Sequence, residues 1–114
     1  MATTVLASSQ RGPRDLACDR THVVWVNHRD GTVMSAPKGG GPAATLVGGQ
    51  VKPWRVAIDN HHVYWVGEAE AGAVMRAGKK GEDVTRLAVA MNPSSVGTRA
   101  GSVYWLTGDG QVMV

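Results

Sequence analysis

One short pattern occurs three times in this chain: His22-Val-Val-Trp-Val26, His62-Val-Tyr-Trp-Val66 and Ser102-Val-Tyr-Trp-Leu106. Its tryptophans, Trp25, Trp65 and Trp105, are evenly spaced. Pro13, Pro53 and Pro93 keep the same interval, as do Leu6 with Leu46 and Gln10 with Gln50. Self-similarity at a fixed period means that each repeat is one supersecondary unit, unable to bury its apolar face alone. The expected core is therefore divided among layers between repeats.

Within each period the residues parse into four short runs. In the middle repeat these are Arg55–Asp59, His62–Val66, Ala73–Arg76 and Val84–Ala88, with turns at Asn60-His61 and Gly78–Gly81. β-branched and aromatic residues fill the runs, a composition that fits a pleated surface. Turn signals every 8 to 12 residues are the mark of an antiparallel meander. The first repeat aligns with the second, and length differences are confined to turns: Arg29-Asp30-Gly31, Glu70-Ala71-Gly72 and Asp109-Gly110. Four strands in about 40 residues is the period of a propeller blade. The fold class expected is all-β, a β-propeller with three four-stranded blades per chain. Residues 1–114 form one half-propeller, with repeats at about 13–52, 53–92 and 93–114.

The two ends set the expected assembly. The last repeat supplies three strands, finishing with Gln111–Val114, while Thr3–Ala7 reads as a fourth strand without its first three. The order is one, four, four and three strands, or three whole blades cut out of register. Propellers have four to eight blades. A three-bladed monomer would expose an apolar blade face and an unpaired sheet edge, both aggregation hazards. Two chains head to tail give six blades, whereas three give nine. The expectation is a homodimer around the propeller axis, with strand 3–7 of each chain closing the last blade of the other by β-augmentation.

Val-Tyr-Trp followed by Val-Gly or Leu-Thr, with Val-Val-Trp-Val-Asn in the first repeat, resembles the YWTD repeat. Asp19 and Asp59 precede their motifs at that family's first-strand position. The chain is also similar to bacterial propeller repeats reading Pro…Val-Ala-Asp…Val-Tyr-Trp…Gly-Val-Met…Gly-Gly…Leu. The resemblance implies a six-bladed propeller and no common catalytic set. Departures are Val24 for the Tyr, Val26, Val66 and Leu106 for the Thr, and Arg99 for the repeat Asp. Fold does not dictate function.

Composition excludes several classes. A net charge of +3 with scattered Lys and Arg, only Lys79-Lys80 adjacent, gives no phosphate-binding stripe, so no nucleic-acid partner is expected. No apolar stretch approaches 18 residues and the first residues lack a signal-peptide pattern, so no membrane partner is expected and the compartment stays open. A larger parent protein exported as a whole is compatible with this. Cys18, the single cysteine, lies in the apolar run Leu16-Ala-Cys18 and reads as a buried, inert thiol. No cofactor is expected.

Repetition also assigns roles. Trp25, Trp65 and Trp105, with Tyr64, Tyr104, Met34, Met75 and Met113, read as inter-blade packing. Asp19 and Asp59 read as local Asx caps at strand ends. Asp30 and Asp109 precede Gly in hairpin turns. His22, His61 and His62 occupy equivalent turns and read as solvated, not as metal ligands.

Function is sought where the repeats disagree. After the repeat proline stand Arg14-Asp15, Trp54-Arg55 and Ser94-Ser95, at the mouth of the central channel. Trp54 is the tryptophan without a counterpart one repeat away. It reads either as a recognition residue, since Trp and Arg are enriched in hot spots, or as a cover for a neighbouring blade. His28, Arg29, Glu68 and Glu70 reach the same face. The functional expectation is a non-enzymatic scaffold that assembles with itself and binds a glycan, peptide or protein. Alternatives are a small lectin using Trp54, a propeller-type lyase or hydrolase using His28 with Glu68 or Glu70, and a fragment or engineered half of a longer propeller.

Overall fold

The computed structural model describes residues 5–68, 72–89 and 92–114. Among them are eleven strands and no helix. The first sheet runs β1 (Pro13–Cys18), β2 (His22–Asn27), β3 (Thr32–Pro37) and β4 (Ala44–Val47) in spatial as in sequence order. The second repeats it with β5 (Arg55–Ile58), β6 (His62–Gly67), β7 (Ala73–Gly78) and β8 (Thr85–Val89). The third holds β9 (Ser95–Arg99), β10 (Ser102–Leu106) and β11 (Val112–Met113). All pairings are antiparallel, and the bulge at Val33/Met34 recurs at Val74/Met75. The repeat thus extends to an irregularity of register.

Glycine makes one of these turns possible. Gly31 sits between β2 and β3 with φ near +70°, and a Cβ there would lie 2.1 Å from the Gln50 carbonyl. Gln50 N–H donates to the Gly31 carbonyl at 2.8 Å, so the loop after β4 is fastened to this turn. Neither the conformation nor the close approach admits a side chain.

The sheets stack through alternate residues, as a period of two requires. Val24, Val26, Val33 and Val47 of the first sheet pack on Val56, Val63, Trp65 and Ala77 of the second. On its other face the second sheet presents Val66 and Val74 to Trp105 and Val96 of the third, with Trp54, Leu87 and Ala88 alongside. Burying a Val side chain is worth about 1.5–3 kcal/mol, so the first layer carries much of the stability. The core is indeed interlayer. Trp65 and Trp105 each belong to the face turned toward the preceding blade.

The inner strands β1, β5 and β9 lie side by side. Their backbones are stitched between blades: the Asp15 carboxylate accepts the Val56 N–H at 3.0 Å, and the Thr98 hydroxyl donates to the Ile58 carbonyl at 2.9 Å. An inner-strand edge would otherwise leave polar groups unpaired.

Two outward faces depart from the expected burial. Cys18 is exposed, correcting the expectation of a buried thiol. It shares a face of β1 with Leu16, which is 65 % exposed, and no sheet among the described residues covers that face. Tyr104 and Met113 are likewise exposed, whereas Tyr64 is buried and Met75 packs on the core. These residues repeat in sequence but differ in burial because they lie in the third sheet. Of the expected closing strand, Thr3 and Thr4 lie outside the described residues, and Val5–Ala7 is not paired into a sheet of this chain. Among the described residues no helix is long and apolar enough to cross a membrane.

Candidate functional site

The residues singled out by unequal repeats gather on the face where the inner strands begin and the β2–β3 turn returns. His28 N–H donates to the Gly12 carbonyl at 2.8 Å, fixing that turn against the entry to β1. Its ring lies 6.4 Å from the Trp54 ring, tilted by 37°. His28 of the first blade and Trp54 of the second therefore meet across a blade junction. Arg55 folds back on this pair, its Nη1 donating to the Trp54 carbonyl at 2.8 Å.

Trp54 is held from two sides. Its backbone N–H donates to the Val66 carbonyl at 3.0 Å, as Ser94 N–H does to Leu106 at 3.1 Å in the next blade. Its indole N–H donates to the Pro93 carbonyl at 2.7 Å. The ring packs on Val66 and Val74. One indole thus bridges the second and third blades, and its polar atom is already committed. This geometry matches that of a cover over the next blade.

The remaining mouth residues divide. Arg14 and Asp15 line an open groove of about 830 Å³ beside β1, together with Leu16, Val23, Trp25 and the segment Val5–Gln10. Ser95 borders a smaller recess of about 170 Å³ with Tyr104, Leu106 and Val112. Arg29 is exposed, and Glu68 lies 3.8 Å from Lys52. His28 and Glu68 are not brought together as an acid–base pair, and Glu70 lies outside the described residues. Asn27 Oδ1 and His28 Nδ1 are buried without a hydrogen-bond partner among the described residues. Among those residues no group of three His, Cys, Asp or Glu side chains is placed to hold a metal ion.

The opposite face carries the strand-end carboxylates. Asp19 accepts backbone N–H groups of Thr21 and His22, each at 2.8 Å, and Asp59 accepts those of His61 and His62 at 2.8 and 2.7 Å. Each closes the turn between the first two strands of its blade as an Asx motif. Lys79 adds a charged donor to Asp19 at 2.6 Å. That hydrogen bond holds the Asp19 carboxyl far below the usual carboxylate range, with burial opposing it. For Asp59 burial pushes the carboxyl up, but the His61 and His62 N–H groups and the Tyr64 hydroxyl outweigh it, leaving it lowered. Burial and Asp59 together raise the Tyr64 hydroxyl. His22 touches Thr21, and His62 lies against the Tyr64 ring, so these histidines stay with their own turns.

Two glutamines emerge here as structural determinants. Gln10 Oε1 accepts the Trp25 indole N–H at 3.1 Å, and Gln50 Oε1 accepts that of Trp65 at 3.1 Å. Gln10 also accepts Asn27 Nδ2 at 2.7 Å. Each glutamine precedes its tryptophan by the same offset, a second period legible in the sequence. At the corresponding place before Trp105 the sequence has Ala90.

No family profile matches the chain, and no curated relative is found by sequence. Solved structures do resemble it. A chain in the crystal structure of a nidogen/laminin complex aligns with a TM-score of 0.81 at 19 % identity, over 91 % of this chain and 44 % of that one. A structural genomics protein of unknown function from Bacteroides thetaiotaomicron aligns with a TM-score of 0.68 at 17 % identity, over 95 % of this chain and 32 % of that one. This chain spans less than half the length of either neighbour, and what the likeness establishes is its fold, the blades of a β-propeller.

Proposed function

We propose that this chain is a non-enzymatic β-propeller scaffold for binding and assembly, two copies joining head to tail into one six-bladed ring. The observation that carries this reading is the bond from Trp25 to Gln10, which repeats the bond from Trp65 to Gln50. Gln50 lies in the loop that leaves β4, the outer strand of the blade preceding Trp65. Val5–Gln10 therefore stands to the first blade as β4 and its loop stand to the second. In the proposed ring it serves as an outer strand added to the last sheet of the other copy.

The third sheet has the matching deficiency. It ends at β11 with no fourth strand among the described residues, and Tyr104, Leu106 and Val112 are exposed on its outward face. Seating that sheet of a second copy in the groove beside β1 lets Val5–Ala7 pair with β11 by strand addition. It also covers Leu16, Val23 and Trp25 with Tyr104, Leu106 and Val112. The same surfaces meet again at the second seam, as twofold closure requires. The channel mouth, with Trp54 and His28 beneath it and Arg14 and Arg29 at its rim, then appears twice on one face of the ring and supplies the ligand-binding surface.

Sedimentation velocity and native mass test the assembly. A species of twice the 12.0 kDa chain mass supports it. A 12.0 kDa species at every concentration overturns it. Deleting residues 1–8 is expected to weaken the dimer strongly, and an undiminished dimer would remove Val5–Ala7 as the closing strand.

A further inference from the structure

The junction between the first two blades carries a charge clasp. Asp19, just after β1, holds Lys79, just after β7, with 2.6 Å between Nζ and Oδ2 and most of both side chains buried. Strand pairing identifies the counterparts of these residues in the other blades. Pro37 pairs with His22 as Gly78 pairs with His62, so Lys38 occupies in the first blade the place of Lys79 in the second. Arg99 pairs with Ser102 at the end of β9, which puts it in the third blade where Asp19 stands in the first and Asp59 in the second. Lys38 and Arg99 are both exposed in the chain.

The first and second blades therefore each carry a lysine at this place, and that of the second reaches back to the strand-end residue of the blade before it. We infer that, in a ring closed by a second copy, Lys38 meets the partner's Arg99, so that a like-charge pair opposes closure where the internal junction has an ion pair. This inference rests on the proposed ring. It makes positions 38 and 99 the determinants of seam affinity and of partner choice. A seam lysine is complemented by a carboxylate, and a second copy lacks one at this place. Like charges in register act against a partner without altering the apolar contacts that hold it. Because a twofold ring has two seams, the effect enters twice.

The test is a double-mutant cycle read as the dimer dissociation constant by sedimentation. Arg99→Asp puts a carboxylate opposite Lys38 and is expected to tighten the dimer about tenfold, from two partly exposed pairs. Lys38→Asp reverses the pair against Arg99 and is expected to tighten it by a similar factor. The combined K38D/R99D variant sets two carboxylates together and is expected to fall back toward wild type. That reversal separates the local pair from overall charge, since the double variant has lost the most positive charge of the set. Affinity that rises through both single variants and again in the double variant would overturn the pair. Unchanged affinity in both single variants would overturn it too. If wild type and every variant remain monomeric, the ring itself is refuted, and the cycle shows this directly.

Discussion

The side-chain oxygen of Gln50 accepts the indole N–H of Trp65 at 3.1 Å, across the junction between the first and second blades. Trp65 is only 1 % exposed, so water does not reach this donor in the folded chain. Gln50 is itself fixed through its N–H to the Gly31 carbonyl. The chain of dependence runs from a glycine turn to a glutamine to the central tryptophan of the next blade.

Gln50→Leu keeps much of the volume and removes the acceptor. A buried donor left unsatisfied costs about 1–3 kcal/mol, more than the net gain from an ordinary hydrogen bond. Equilibrium urea unfolding is expected to show a loss in that range with an unchanged m value. Gln10→Leu at the equivalent place is expected to act differently. It releases Val5–Gln10 from the first blade and accelerates proteolysis of that segment, while the unfolding midpoint moves less.

Trp54 tests whether its indole serves packing or recognition. Its N–H donates to the Pro93 carbonyl at 2.7 Å, and its ring covers Val66 and Val74. Trp54→Phe retains an aromatic ring but loses the bridge to the third blade, at an expected cost of about 1 kcal/mol. Hydrogen exchange should rise first in β9 and β10, with β1–β4 little changed. Trp54→Ala is expected to cost about 3 kcal/mol, because it also opens a cavity beside the second layer. Uniform exchange changes across all three blades would argue that the indole does not hold the junction.

Acid titration isolates the clasp between Asp19 and Lys79. The Asp19 carboxyl is held far below the carboxylate range in the folded chain by the Lys79 hydrogen bond. In the unfolded chain an Asp titrates near about 3.9. A group with a depressed folded pKa adds stability above its unfolded pKa and loses it as pH falls through the folded value. Unfolding free energy is therefore expected to decline from about pH 5 downward. Lys79→Met should flatten that decline without abolishing it, since the lowered Asp59 carboxyl acts in the same direction. An identical pH slope in the variant would show that the clasp contributes nothing.

Much of this architecture is legible in the sequence because repetition reports registration. The motifs around Trp25, Trp65 and Trp105 locate β2, β6 and β10, and their constant interval places the inner strands beside one another. Asp-Gly chemistry locates the turn at Gly31. That Asp15 reaches sideways to Val56 is not legible, because inter-blade stitches join residues whose repeat equivalents differ in chemistry. Trp54 illustrates the same limit from the other side: its lack of a counterpart marks it out, but only the fold reveals Pro93 as its acceptor. Cys18 misleads through its apolar neighbours, since β alternation turns Ala17 inward while Leu16 and Cys18 face outward. Lys79 leaves a readable trace, the recurrence of Lys38 one blade earlier, which gains meaning only once Asp19 is seen to receive it.

Leu16 and Val56 occupy the same position of successive repeats and carry opposite predictions. Val56 is 5 % exposed within the first interlayer core, whereas Leu16 is 65 % exposed beside the groove. Val56→Glu buries an unpaired carboxylate and is expected to unfold the chain or cost more than about 4 kcal/mol, seen as loss of far-UV β signal at moderate temperature. Leu16→Glu places the same charge in water, so the isolated chain should keep its spectrum and lose less than about 0.5 kcal/mol. In the proposed ring, however, Leu16 lies beneath the third sheet of a second copy, and a glutamate there is buried by assembly. The dimer should then weaken at least about a hundredfold, the cost of desolvating one carboxylate at each of two seams. A Leu16→Glu chain that folds but stays monomeric places this face at the seam. If it dimerises as well as wild type, the two copies meet elsewhere.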